Sequence, residues 1–154
     1  VLKHYNLSIV TDPLKLLSFK TDKIDNFKDV MERDIIIKTV IEKLQFKNLR
    51  RNAFNFSYVD TTFSTDLETI TTLPKCIAHL NVLIDESKQV YDLFVVFRSL
   101  HYDKNFNYDM TTIEKLIVAI NEKYKLLCRE INLVFNNIHT EQDINLKDEI
   151  NKRL

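Results

Sequence analysis

The chain has 154 residues and contains no glycine, no tryptophan, two prolines and two cysteines. The missing glycine excludes most. A P-loop, a dinucleotide fingerprint, a nucleophile elbow and a standard EF-hand loop all need glycine, where the backbone turns tightly or approaches a ligand. A phosphate-cradling backbone loop is disfavoured on the same ground. Positive backbone φ has to be adopted by residues that carry a Cβ, with Asn and Asp the expected substitutes. Helices joined by polar linkers meet that difficulty better than a multi-stranded sheet does. No apolar run approaches the ~20 residues of a membrane span. The strongest, Leu93 to Val96, is far shorter.

Two cysteines are too few for a small secreted disulfide scaffold. Cys76 and Cys128 both fall at apolar helical positions, which reads as two buried, reduced thiols. One disulfide between adjacent helices is the alternative. The thiols favour an intracellular chain. Two sequons, Asn6-Leu7-Ser8 and Asn55-Phe56-Ser57, keep a secreted or surface location open. The chain begins at Val1 and not Met, which reads as a processed or excised fragment.

Charge of one sign is not in excess: 22 Lys and Arg face 22 Asp and Glu. A nucleic-acid partner is therefore disfavoured, since such binders usually show a basic surplus. The charges are unevenly placed, with a surplus of bases before residue 52 and of acids from 52 to 110. Lys43, Lys47, Arg50 and Arg51 form the densest basic cluster, read as a solvated helix end.

What is present is apolar periodicity. The chain is 45% hydrophobic, enough to build a core. Asp12 and Pro13 start a short helix carrying Leu14, Leu16, Leu17 and Phe19. Tyr5 to Val10, before it, is left open as an extended segment. Ile24, Phe27, Val30, Met31, Ile37, Val40, Ile41 and Leu44 recur at spacings of three and four, which predicts a helix over 22–50. Phe54, Phe56 and Tyr58 alternate with polar neighbours and predict a short extended segment near 54–59, with a small hairpin as the alternative. Thr65-x-x-Glu68 resembles a capping box. From Pro74 to His101, the positions Cys76, Leu80, Leu83, Val90, Phe94 and Phe97 suggest one face of a helix.

Tyr102 to Asp109 reads as a loop with aromatics at Tyr102, Phe106 and Tyr108. Thr111-x-x-Glu114 supplies a second capping box. Ile113, Ile117, Ile120, Tyr124, Leu127, Ile131, Val134 and Ile138 then alternate in steps of four and three, the spacing of a heptad seam. Thr140-x-x-Asp143 would cap a polar tail that protrudes or frays. The expected fold is all-α: an antiparallel helical bundle of four to six helices, with long coiled-coil-like C-terminal helices. It forms a single domain over 1–154, subdivided into 1–51, 64–139 and 140–154.

No constellation of catalytic residues stands out. Cys76 and His79 share a helical face but have no second ligand pair, so zinc is not expected. Glu-x-x-His motifs of di-iron bundles are missing. His101 can be drawn as an acid/base pair with Asp103 or Asp109, as could any loop of common polar residues. No metal, cofactor or enzymatic activity is therefore expected. The expected function is a helical protein-interaction module, a subunit or adaptor of a larger assembly, whose seam faces a helix of a protein partner, with self-association as one option. Its partner-binding residues would be Ile113, Ile117, Ile120, Tyr124, Leu127, Ile131, Val134 and Ile138, with Tyr102, Phe106 and Tyr108 in the aromatic loop. The alternative is a secreted or surface helical ligand, such as a pathogen protein that engages a host receptor.

Overall fold

Tyr91, Leu93, Val95 and Phe97 are fully buried, whereas Asp92, Phe94 and Val96 between them are not. That period of two belongs to a strand and not to a helix. The computed structural model describes residues 1–17, 34, 37–38, 40–42, 55–57, 77–85 and 87–154. Its elements are β1 (Lys3–Thr11), α1 (Pro13–Leu17), β2 (Asn55–Ser57), β3 (Ile77–Asp85), β4 (Val90–Phe97), β5 (Leu100–His101), α2 (Tyr102–Tyr124), β6 (Leu127–Thr140) and α3 (Leu146–Arg153).

The strands form one mixed sheet in the order β1-β6-β4-β3-β2, with β5 pairing β6 beyond the end of β4. β6 lies antiparallel to β1 and parallel to β4 and β5. β3 lies antiparallel to β4 and to β2. The parallel pairing requires a crossover, and α2 supplies it. The all-α bundle and coiled coil expected from the sequence are thereby corrected: the chain is mixed α/β.

Two misreadings explain most of the error. The span Pro74 to His101 was expected to be one helix. Its described part is the β3–β4 hairpin, with Leu80, Val82, Leu93 and Val95 turned to the same side. The heptad seam of 113–138 is genuine only through α2, where Phe106, Met110, Ile113, Ile117 and Ile120 are buried in steps of four and three. It is cut at Lys125, whose φ of 54° turns the chain out of the helix. Asn121 secures that exit: turned with its nitrogen inward, its amide donates to Leu126 O at 3.1 Å and to the Tyr91 hydroxyl at 2.7 Å. The other left-handed position is Gln89, at φ 54° in the β3–β4 turn. Among the described residues the glycine-free chain thus takes its positive φ at Gln and Lys, and not at the expected Asn and Asp.

The helices cover one face of the sheet. Tyr91 on β4 donates to Ile117 O in α2 at 3.4 Å, and Thr11 on β1 donates to Leu154 O after α3 at 2.9 Å. Phe135 on β6 stacks on Phe97 with centroids 4.9 Å apart and also lies beside Phe106 of α2. Each such fully buried side chain contributes roughly 1.5–3 kcal/mol before entropic costs. The loop expected at 102–109 is instead the first two turns of α2, and the Thr111 capping box lies inside that helix. The Thr111 and Thr112 hydroxyls bond back to Asn107 O and Tyr108 O, four residues earlier.

The tail expected to fray is docked. Asn145 caps α3 by accepting from Asp148 N at 3.1 Å. Leu146, Ile150 and Leu154 are buried. The Arg153 guanidinium lies over the Phe106 ring at 4.9 Å and donates to Asn107 Oδ1 and the Tyr102 hydroxyl. Residues 34, 37–38 and 40–42 are helical, inside the span expected to be helix, and Ile41 O accepts from the Tyr124 hydroxyl at 2.5 Å. The short extended segment near 54–59 is β2, paired to β3. Cys76, Pro74, the Thr65 capping box and the Lys43–Arg51 cluster lie outside the described residues. No helix among the described residues is long and apolar enough to cross a membrane.

Candidate functional site

Two regions carry polar or apolar groups that the core does not use. The first is the sheet face opposite the helices. Strand alternation turns Val10, Asn132, Phe94 and Asn81 to that side as one row across β1, β6, β4 and β3. Ser8, Val134, Val96 and His79 form the next row. Val10 is 63% exposed and Phe94 36%, while Val96 and Val134 are half-buried. Parallel strands are usually covered on both faces. Here the parallel pair β4–β6 has helices on one side and this part-exposed, mixed surface on the other. At its edge, Arg129 sits at a register shift and donates to both carboxylate oxygens of Asp92, at 3.0 and 2.7 Å.

The second region is the end of the sheet where the parallel strands β5 and β6 finish. Ligands of open α/β sheets favour the carboxyl ends of parallel strands. His4, His139 and His101 stand side by side there, because His4 on β1 and His101 on β5 are both in register with His139 on β6. Ring centroids are 5.4 Å apart for His4 and His139, and 4.8 Å for His139 and His101. The Nδ1 atoms of His101 and His139 are buried without a hydrogen-bond partner among the described residues. Burial pushes the His139 pKa below the ordinary imidazole value, and the neighbouring His101 and His4 add to this while Asp103 opposes it.

Asp103, in the first turn of α2, faces this end. His101 Nδ1 lies 3.7 Å from its carboxylate. The carboxylate accepts from Thr140 Oγ1 at 3.0 Å, from Glu141 N at 3.1 Å and from the Gln142 amide. These bonds tie the end of β6 to the start of α2. Burial works against the charge of Asp103. The bonds from Glu141, Gln142 and Thr140, with His101 nearby, outweigh it and hold the pKa below the usual carboxylate value. The consequence for stability follows from linkage. With the folded pKa depressed, the contribution is complete above the unfolded value of 3.8 and is lost as pH falls through the folded value. Asp103→Asn is therefore expected to flatten the acid limb of a plot of urea midpoint against pH, below about pH 5. An unchanged limb would show that these bonds do not favour the charged form.

The residues singled out from the sequence do not form one surface. Ile113, Ile117, Ile120, Ile131, Ile138, Tyr102 and Phe106 are buried. Tyr108 and Tyr124 are half-buried on α2. Val134 lies on the open face, and Leu127, at the start of β6, is 66% exposed. Cys128 is a free, half-buried thiol, pushed up to about 12 by burial and by the Asp92 charge, and so poorly nucleophilic. Of the drawn acid/base pairs, the fold brings His101 to Asp103; Asp109 is buried in mid-helix. Among the described residues no group of three or more His, Cys, Asp or Glu is placed to hold a metal ion. The histidine row was missed because its members are 38 and 135 residues apart, and only strand register makes them neighbours.

No family model and no curated protein matches the chain. Among solved structures, 285 chains match. One is thymidylate synthase from T4 phage, at 16% identity and a TM-score of 0.50 over 75% of this chain. The match spans only 38% of that enzyme's chain. At this identity the likeness concerns fold alone, and it places the chain among mixed α/β structures. It also corrects the expectation of a non-enzyme. An enzyme carries this fold, so missing glycine-dependent motifs do not exclude catalysis.

Proposed function

We propose that the chain is a subunit of a larger assembly that docks a second copy of itself through the open face of its sheet. The observation that supports this is the central parallel pair β4–β6 with Phe94, Val96, Val134 and Val10 part-exposed on the side away from the helices. A self-complementary contact places one patch against its own copy, so a charged centre would repel. The two central rows carry Val, Phe, Asn, Ser and His and no carboxylate, lysine or arginine. Asp92 and Arg129 are paired at the edge. Assembly of this kind is compatible with catalysis, since a thymidylate synthase uses the fold.

Light scattering coupled to size exclusion tests the reading. The parent chain is expected to run at twice its 18.3 kDa mass. Phe94→Lys is expected to run at the single mass with its circular dichroism unchanged, because the ring is not part of the core. A parent that stays monomeric at high concentration, or a Phe94→Lys variant that stays dimeric, would overturn it.

A further inference from the structure

We propose that the row His4–His139–His101 is a proton-sensitive latch: proton uptake on adjacent imidazoles releases the tip of β1, residues 3–5, from β6. This is independent of the assembly reading.

The tip pairs with β6 in a separate stretch of the ladder from the rest of β1. Lys3, His4 and Tyr5 pair with Thr140, His139 and Ile138, and Leu7 to Thr11 pair with Phe135 to Ile131. Between them the register shifts, so that Asn6 alone faces Asn136 and Asn137. The extra residue belongs to β6, and the bulge interrupts the ladder there, so the pairs that hold residues 3–5 are not continuous with those of residues 7–11. Among the described strands β1 is also at the edge, with β6 as its one neighbour. Holding the tip are the exposed Lys3–Asp143 ion pair, the Tyr5 hydroxyl on Ile144 O at 3.2 Å, and His4 Nδ1 with Asn137 Oδ1 at 3.0 Å.

Three groups face His139 from the elements around it: His4 from β1, His101 from β5, and Asp103 from the start of α2. The Asp103 carboxylate lies 3.7 Å from His101 Nδ1, on the far side of the row from His4. His139 and His4 lie next to one another across the β1–β6 pair, with ring centroids 5.4 Å apart, so positive charge on both would repel. An imidazolium needs acceptors for both N–H groups. The closed tip offers none to His139 Nδ1 among the described residues. Opening the tip hydrates that nitrogen and separates the rings, so uptake and opening favour each other. The lowered pKa of His139 in the closed sheet has the sign this coupling requires.

Amide hydrogen exchange on the full chain, corrected for the intrinsic pH dependence of exchange, reads the latch directly. Between about pH 7.5 and 5, protection of the amides of residues 3–5 that bond to β6 is expected to fall severalfold relative to the bonded amides of residues 7–11. His139→Gln is expected to abolish the fall. His4→Gln does the same from an exposed position and keeps the test usable if the half-buried substitution disturbs folding. Constant protection of the tip, a fall that persists in His4→Gln, or loss of protection throughout the sheet at once would each overturn the proposal.

Discussion

Ile131→Asp is expected to leave the chain without a cooperative thermal transition, while Leu127→Asp melts within about 0.5 kcal/mol of the parent. The two residues hold equivalent positions in a heptad seam, and a helical reading makes both substitutions destructive. The sheet separates them. Ile131 is fully buried on the helix side of β6, in register with Leu93. An aspartate there loses the apolar contacts, worth about 2–5 kcal/mol on truncation alone. It also buries a carboxylate with no partner. Against a typical total of about 5–15 kcal/mol that is most or all of the stability. Leu127 is two-thirds exposed, and its link to the β3–β4 turn is a backbone bond from its N–H to Gln89 O, which substitution leaves intact. Thermal melts followed by circular dichroism decide it. Two equally damaged variants would mean that residue 127 is packed.

Truncation after Asn145 is expected to be as severe. The nine residues removed include Leu146, Ile150 and Leu154, all buried, and the carbonyl that accepts from the buried Thr11 hydroxyl. Thr11 would lose its partner, and the Phe106 ring would lose the guanidinium that covers it. Removing three buried aliphatic side chains at about 2–5 kcal/mol each approaches the whole stability of a domain. The truncated chain should bind a hydrophobic dye and lack sharp near-ultraviolet dichroism. Ile150→Ala is the graded version, expected to lower stability by about 2–5 kcal/mol. A truncated chain that melts like the parent would show that α3 is an appendage.

Part of this fold was legible in the sequence. The alternation at 54–59 marks β2, the segment left open before Pro13 is β1, and the spacing from Ile113 to Ile120 is a true helical stripe. The strands β3, β4 and β6 were taken for helix for a physical reason. β6 steps by two from Ile131 to Phe135, but the bulge at Asn136–Asn137 turns the next buried step into three, at Ile138. The shift beside Arg129 similarly separates Cys128 from Ile131. Bulges insert odd steps into an even pattern, and a seam of threes and fours can then be drawn through a strand. Glycine was a second false guide, since Gln89 and Lys125 occupy the left-handed positions at an ordinary strain of about 1–3 kcal/mol each. The polar end was partly readable. His101 and Asp103 are close in sequence, while His4 and His139 meet only through a register that no local pattern encodes.

The place of β6 between β1 and β4 has a consequence for biosynthesis. β1 pairs with β6, which lies more than a hundred residues later in the chain, and β4 also waits for β6 as its parallel neighbour. At about 5–20 residues per second, β1 spends roughly ten seconds without its partner while the intervening chain is made. During that time β1 and the β3–β4 hairpin present open edges to chaperones or to other nascent chains. For this topology, the order of synthesis postpones assembly of the sheet centre until β6 has been made.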